Sequence, residues 1–424
     1  MTTIAVSEAA ESKALHGFWT RSRKTGLTLA VLGLVVVLVG LFGISSTDSI
    51  HLSFNVTLEA TLPAINARLI IVLLGVIGLA AGVVLVQSRV ARFGVYTGTG
   101  VGALALGALF MATAPTGAVM PLESMLSGSM FLALPLIFGS LSGVLCERSG
   151  IINVGIEGQF LAGAFSGALV ATMTGNLWIG VLSACIAGAL VTYILAALAI
   201  KYRVDQVVLG VILNLLVAGL TGYLYDTLMA PDQSAYNNPG KAPTWNIPLL
   251  GDIPLIGPVL FRQNIFTYLA LALVAGIYVM LFHSRWGLRT RAVGEHPAAA
   301  DTVGIKVNAL RMQNVLIAGL VSGLGGAFFT IGTGLDFSKD MTAGKGFIAL
   351  AVLIVGRWSP LGAFFGALLF GFADRTQTFL AAVGSPVPTQ LLSMLPYLVT
   401  IVAVAGLIGR VRAPAADGKP YIKE

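Results

Sequence analysis

Charge is what this sequence most conspicuously lacks. Of its 424 residues only 10% are charged and 56% are hydrophobic, with a mean hydropathy of +0.90. A soluble domain carries about 25% charged residues, so the composition excludes a soluble enzyme, a disordered chain and a nucleic-acid binder, even at net charge +7. Cysteine is scarce as well. Cys146 and Cys185 lie in or beside apolar stretches and offer neither a disulfide framework nor metal-ligand spacing, so they read as packing residues. The four histidines, His16, His51, His283 and His296, are scattered. There is no H-E-x-x-H and no C-x-x-C. There is no G-x-x-x-x-G-K-[ST] either, because Gly344-Lys345 runs into Gly346 and Gly418-Lys419 into Pro420. The expectation is a chain that is not an enzyme, holds no metal or other cofactor, and binds no ATP through a P-loop.

What the sequence has instead is apolar runs. A hydrocarbon layer about 30 Å thick needs about 20 apolar residues per helix. That rule predicts spans near 27–44, 64–86, 95–113, 128–145, 153–173, 177–200, 206–229, 265–283, 315–331, 361–380 and 390–409. A half-length piece follows at 347–356. The fold class is all-α, a polytopic integral membrane protein of about 11–12 transmembrane segments with broken or half-length helices. The first run is too long for the apolar region of a signal peptide and lacks a convincing cleavage site. Glycine is plentiful, 51 residues, about twice its usual share of 7%. In membrane proteins glycine lets helices approach closely and marks broken ones.

Lysine and arginine set orientation. One set of loops holds 18 of the 25, including Arg21, Arg23 and Lys24, Arg285, Arg289 and Arg291, and Arg410 and Arg412; the opposite set holds 5. Both termini are therefore expected in the cytoplasm, and the basic balance is a topology signal rather than a nucleic-acid footprint. Cytoplasmic ends require an even number of crossings. The half-length segment supplies the missing one if it crosses together with the glycine-rich residues before it and ends at the breaking turn Gly356-Arg357-Trp358-Ser359-Pro360; the alternative is a re-entrant segment with one span miscounted elsewhere.

Four stretches organise the chain: a polar N-terminal tail at 1–26, expected to be mobile, an apolar block at 27–120 with few polar residues, a core at 121–410 with polar groups inside its spans, and a cytoplasmic tail at 411–424. The outer loop 230–264 carries six prolines and reads as an ordered, extended cap with little helix.

Polar residues cluster in three places. In Cys146-Glu147-Arg148-Ser149-Gly150-Ile151-Ile152-Asn153-Val154-Gly155-Ile156-Glu157-Gly158-Gln159, the i, i+4 spacing of Asn153 and Glu157 predicts one shared helix face. A carboxylate in lipid costs roughly 2.5–3.5 kcal/mol, so Glu157 either lines a path or clamps helices together, and the sequence weighs the two evenly. Glu147 and Arg148 read as interfacial anchors, and Asn214 as an interhelical hydrogen bond more than a ligand contact. In the loop 284–311, residues 292–305 predict a short isolated helix, with Pro297 at its first position and Gly304 just past its end. Such a helix either docks into another protein or lies on the membrane surface. The third cluster is glycine-rich, Gly323 to Gly326 and Met341 to Gly362, and contains Lys345 and Phe347. Asp374 is a candidate ion-pair partner for Arg357 or Arg375.

These stretches, with Asp205-Gln206-Val207-Val208 and Asn214, resemble in order the permease subunits of ATP-binding-cassette importers. The branch is that for simple sugars, branched-chain amino acids and, most closely, nucleosides, and the resemblance covers about 125–410. It implies a bacterial inner-membrane importer with several partners: two cytoplasmic ATP-binding subunits or one fused duplicate, a second related permease, and an extracytoplasmic binding lipoprotein. It places ATPase coupling on Gly294, Glu295, His296, Pro297, Asp301 and Gly304, and in such an importer the polar and glycine-rich clusters make Asn153, Glu157, Gln159, Asn214, Lys345 and Phe347 the expected lining of the translocation path. ATP is then held by the partner subunits and not by this chain. The rival readings are an ion-coupled secondary transporter using Glu157 and Asp374, and a membrane-embedded scaffold subunit. The block at 27–120 has no counterpart in the family's compact form.

Overall fold

The computed structural model describes residues 21–42, 49–53, 65–87, 119–385, 387–394, 397 and 413–423. The expected span at 95–113, most of that at 390–409 and the tail at 1–20 lie outside them. The chain divides into two compact units, Met1–Met125 with Phe372–Val411, and Leu126–Gly371 with Arg412–Glu424.

In the first unit, helices α1 (Arg21–Phe42) and α2 (Ala67–Gln87) pack antiparallel through glycine. A Cβ on Gly33 would lie 2.4 Å from the Leu79 nitrogen, and one on Gly82 2.4 Å from that of Ala30. Bare backbone at both contacts gives the dispersion attraction that holds helices together where no hydrophobic drive exists. Between and after these helices lies a feature the hydropathy does not predict, a small sheet of β1 (Ser49–Ser53), β2 (Ile65–Asn66) and β3 (Val119–Pro121). Strand β1 runs antiparallel to β2 and parallel to β3.

The second unit begins within α3 (Leu122–Glu147), followed by α4 (Ile156–Thr174), α5 (Leu177–Lys201) and α6 (Gln206–Leu224), which a wide turn extends to Met229. The outer loop holds only α7 (Gln233–Tyr236), β4 (Thr244–Asn246), one wide turn and β5 (Arg262–Asn264), as its prolines require. Then come α8 (Ile265–His283), α9 (Arg285–Glu295), α10 (Pro297–Thr302), α11 (Val307–Ala327, continued to Gly332), α12 (Lys345–Val355), α13 (Pro360–Ala382), which runs on into the first unit, and α14 (Thr389–Leu392). Among the described residues, α3, α5, α6 with its extension, α8 and α11 with its extension are each long and apolar enough to cross a membrane. The chain is an all-α, polytopic membrane protein. The core of the second unit is the mutual packing of α4, α5 and α11, where Gly188 of α5 meets Gly319 and Gly323 of α11, and Gly163 of α4 meets Gly326 of α11.

The half-length segment links the two ends of the second unit. The end of α11 is fixed to the proline-rich loop, where Asn264 Nδ2 donates to the Gly332 carbonyl at 2.6 Å and the Ala242 N–H to that of Ile331 at 2.8 Å. Residues 333–344 carry no regular helix, and Asn237 holds Phe337 in their midst through both its N–H and its carbonyl. Helix α12 completes the passage and stops at a turn in which Arg357 and Trp358 both have positive φ. Arg148, just past the far end of α3, donates from Nε to the Trp358 carbonyl at 2.8 Å. The chain thus travels from the proline-rich end to the arginine-rich end as a run of irregular turns plus a half-helix.

Candidate functional site

The first polar site lies where α4 and α12 begin. Both helices lack a capping side chain of their own, since their N-cap residues are Gly155 and Gly344. The first turn of a helix leaves N–H groups without partners, and buried ones must find an acceptor elsewhere. Here the acceptors come from other helices. Glu157, 8% exposed, accepts Thr342 Oγ1 at 2.5 Å and the N–H of Gly344 at 2.8 Å on Oε1, and the N–H of Gly346 at 2.6 Å on Oε2. Asn214 of α6 accepts the Gly158 N–H at 2.8 Å and donates to the Val154 carbonyl at 2.9 Å. Glu157 stands in the first turn of α4 and at the first turn of α12, so the partial positive charge of two helix starts offsets the desolvation of its carboxylate. Gly346 approaches so closely that a Cβ there would lie 2.5 Å from the Glu157 nitrogen.

Asn153 departs from the sequence reading. Helix α4 starts at Ile156, so Asn153 precedes it and shares no helical face with Glu157. Gly155 interrupts the expected helix because the chain turns there to bring Asn153 against Gln159. The two fully buried amides exchange hydrogen bonds, Gln159 Nε2 to Asn153 Oδ1 at 2.8 Å and Asn153 Nδ2 to Gln159 Oε1 at 3.2 Å. Gln206 accepts the Ile152 N–H at 2.7 Å, and Asp205 caps α6 through Val207 and Val208. Asn153, Glu157, Gln159 and Asn214 therefore form one polar knot. Phe347, 48% exposed, projects from α12 beside it, and Lys345 opens that helix.

The arginine-rich end carries the second site. Helix α9 runs to Glu295, so residues 292–295 end a longer helix, and the short helix is α10 alone. Two of its signals are as expected, Pro297 at the first position and Gly304 after the end with φ +83°, and His296 adds a cap that the sequence pattern does not mark, its Nδ1 accepting the Ala299 N–H at 3.3 Å. Ala300 anchors α10 in an apolar cluster with Val293, Val307 and Leu310. The opposite side presents Glu295, His296, Ala298, Ala299 and Val303 to the exterior. A cleft of about 660 Å³ adjoins it, lined by Leu288, Arg289, Val303, Gly304 and Lys306 among others.

Three contacts at this end escape the sequence pattern. Glu147 is buried at 6% exposure and accepts the Trp358 indole N–H, so it pins the turn after α12 instead of reaching an interface. Arg148 lies over the Phe282 ring at 5.7 Å, and burial lowers its pKa. Arg311, 1% exposed, donates from Nε to the Ser149 carbonyl at 3.1 Å and from Nη1 to that of Lys419 at 3.0 Å. Near Asp374, Arg375 donates to Ser124 Oγ at 2.6 Å. Among the described residues no group of three His, Cys, Asp or Glu side chains could hold a metal ion.

Comparison with known proteins matches residues 125–404 to the family described as the branched-chain amino acid transport system permease component. The guanosine ABC transporter permease protein NupQ of Bacillus subtilis is 41% identical over 318 residues, 72% of this chain and 98% of the relative. The nucleoside ABC transporter permease protein NupC of Lactococcus lactis is 39% identical over the same shares. A second B. subtilis protein, the guanosine ABC transporter permease protein NupP, is 26% identical over 56% of this chain and 69% of its own. No solved structure matches. The chain belongs to the permease-component family of the branched-chain amino acid transport system type.

Proposed function

We propose that this chain is one of two permease subunits of an ATP-binding-cassette importer, and that it forms part of the path for a nucleoside. The observation that carries the reading is the 41% identity to a guanosine permease along 98% of that relative. The likeness to both NupQ and NupP of one organism supports a second, related permease as partner. The cytoplasmic ATP-binding subunits and the extracytoplasmic binding lipoprotein follow from the same reading. ATP is consumed in the partners, and this chain performs no covalent chemistry.

In this reading the arginine-rich end faces the cytoplasm of a bacterial plasma membrane, in keeping with the basic loops. The outer face of α10, with Glu295, His296, Pro297, Asp301 and Gly304 at or beside it, is the docking point for an ATP-binding subunit. Its motion passes through Gly294 and α9 into the core. The polar knot is a fixed point about which α4 and α12 turn together, and Lys345 and Phe347 are the path-facing residues nearest it. Residues 121–410 constitute the transport core, and 27–120 precede it as an added block.

The test is uptake of tritiated guanosine in the bacterium carrying this chain, with and without the gene. Loss of ATP-dependent uptake on deletion, restored by the gene and competed by other nucleosides but not by glucose or leucine, is the expected result. Unchanged nucleoside uptake with lost sugar or leucine uptake would move the substrate to that class. Uptake that survives ATP depletion and collapses with the ion gradient would overturn the importer reading.

A further inference from the structure

Residues 413–423 fold back onto the arginine-rich end of the second unit. They form two overlapping turns, Asp417 N–H to the Pro414 carbonyl at 3.0 Å and Lys419 N–H to that of Ala416 at 3.2 Å, with Gly418 at φ +71°. Pro414 and Ala416 are buried. The segment touches two structures that also meet directly, where Gly294 packs on the Arg148 carbonyl and the charge of Glu295 acts on Arg148.

On one side stand the docking helices. The Ala416 N–H donates to the Gly294 carbonyl at 2.9 Å, and the Ala415 N–H to Glu295 Oε2 at 3.3 Å. Lys423 pairs with Asp301 at 3.6 Å, and Tyr421 packs against the apolar cluster that anchors α10. On the other side stands the turn 148–155, which leads directly into the polar knot. Gly418 lies against Ile152, where a Cβ would meet Cδ1 at 2.7 Å, and a Cβ on Gly150 would meet the Ala416 carbonyl oxygen at 3.0 Å. Between the two sides Arg311 binds the Ser149 and Lys419 carbonyls at once. Several of these bonds use backbone, which fixes position more tightly than long exposed side chains can.

We infer that residues 413–423 are an intramolecular strap that makes the docking helix α10 and the knot-bearing turn 148–155 move as one body, and so convey the partner's motion to the path. The inference rests on the importer reading above and adds a positioning element to it. Without the strap, α10 keeps its outer face, and the ATP-binding subunit still docks and hydrolyses ATP. What is lost is the rigid route from Gly294 to Asn153 and Glu157.

The test uses the native complex, purified through this chain and reconstituted with its binding protein. Hydrogen exchange on the unaltered complex should show the Ala416 amide and the amides of α10 protected both without nucleotide and with ATP trapped. Exchange of 413–423 at the rate of an unstructured peptide in either state overturns the strap. Removing residues 413–424 should lower guanosine uptake per ATP hydrolysed roughly tenfold, the scale of ordinary coupling between sites. Exchange in α10 should rise and that in α5 should not. Uptake per ATP equal to the unaltered complex overturns the proposal. If the shortened chain fails to assemble, Ala416→Pro in the full chain decides, because it removes the N–H bound to Gly294: a like fall in uptake per ATP supports the strap and an unchanged ratio overturns it. An unaltered complex with no ATP-driven uptake of guanosine, other nucleosides or sugars defeats the importer reading instead, while the exchange result still judges the strap.

Discussion

Glu157 and Gly346 stand 189 residues apart, yet the carboxylate of one accepts the backbone N–H of the other at 2.6 Å. One side chain thereby caps the half-helix α12 from inside the first turn of α4. The same logic recurs at Asn214, which caps α4 from α6. Two helix starts with glycine caps are completed in trans, so the local weakness of each becomes a constraint on how three helices sit together.

Replacing Glu157 by Gln should therefore destabilise the fold. An amide offers one acceptor oxygen where the carboxylate offers two, and its NH2 group would face an N–H donor. A buried donor left without an acceptor costs about 1–3 kcal/mol. The thermal unfolding midpoint of the purified permease should fall, and uptake with it. A variant with an unchanged midpoint but lost uptake would make Glu157 a path residue and not a clamp.

Asn214→Leu tests the second trans cap. The substitution keeps the volume and removes both bonds, orphaning the Gly158 N–H and the Val154 carbonyl. The expected loss is again about 1–3 kcal/mol. Hydrogen exchange at the start of α4 should rise while α8 is unaffected.

Much of the fold was legible because hydropathy is a local property. Helices α3, α5 and α8 coincide with apolar runs, and Pro297 with Gly304 marks α10 through conformational preferences that act within a few residues. The knot was visible only as a cost: Glu157 had to be satisfied, but nothing local said by what. Its partners Thr342, Gly344 and Gly346 are joined to it by folding alone. Asn153 misled for the same reason, because the i, i+4 rule presumes a helix that Gly155 interrupts. Glu147 with Trp358, the small sheet of β1 to β3 and the folded segment 413–423 were equally hidden, since each depends on residues far apart in the chain.

At the docking end, Gly294→Ala should disturb coupling. A Cβ at this position would fall 2.2 Å from the Arg148 carbonyl oxygen, a backbone atom that cannot swing aside. Overpacking of this kind costs roughly 1–3 kcal/mol. Helix α9 must then lift from the turn 148–150. ATP hydrolysis without matching uptake, measured in proteoliposomes, is the expected signature.

Glu295→Ala combined with His296→Ala addresses the exposed face itself. His296 caps α10, and loss of a cap costs about 1 kcal/mol of helix stability. Membrane insertion should be unchanged, whereas co-purification of the ATP-binding subunit and uptake should both drop. Normal uptake by this variant would remove α10 from the coupling role.

The docking of 413–423 should also depend on pH. Burial pushes the Asp417 carboxyl up to about 7, opposed by a hydrogen bond to the Glu147 carboxyl, by the Gly418 N–H and by the charge of Arg311. The free side chain titrates near 3.8, so between these values the docked segment binds more protons than the released one. Docking is then firmest at the acidic end of that window, weakens as pH rises from about 4 towards about 7, and levels off above. Hydrogen exchange of the Ala416 amide, corrected for intrinsic rates, should show greater protection at pH 6 than at pH 8. Asp417→Asn, which cannot ionise, should reduce that difference, the remainder belonging to the Glu147 carboxyl that shares its hydrogen bond. A variant that keeps the full pH dependence would assign it to another group.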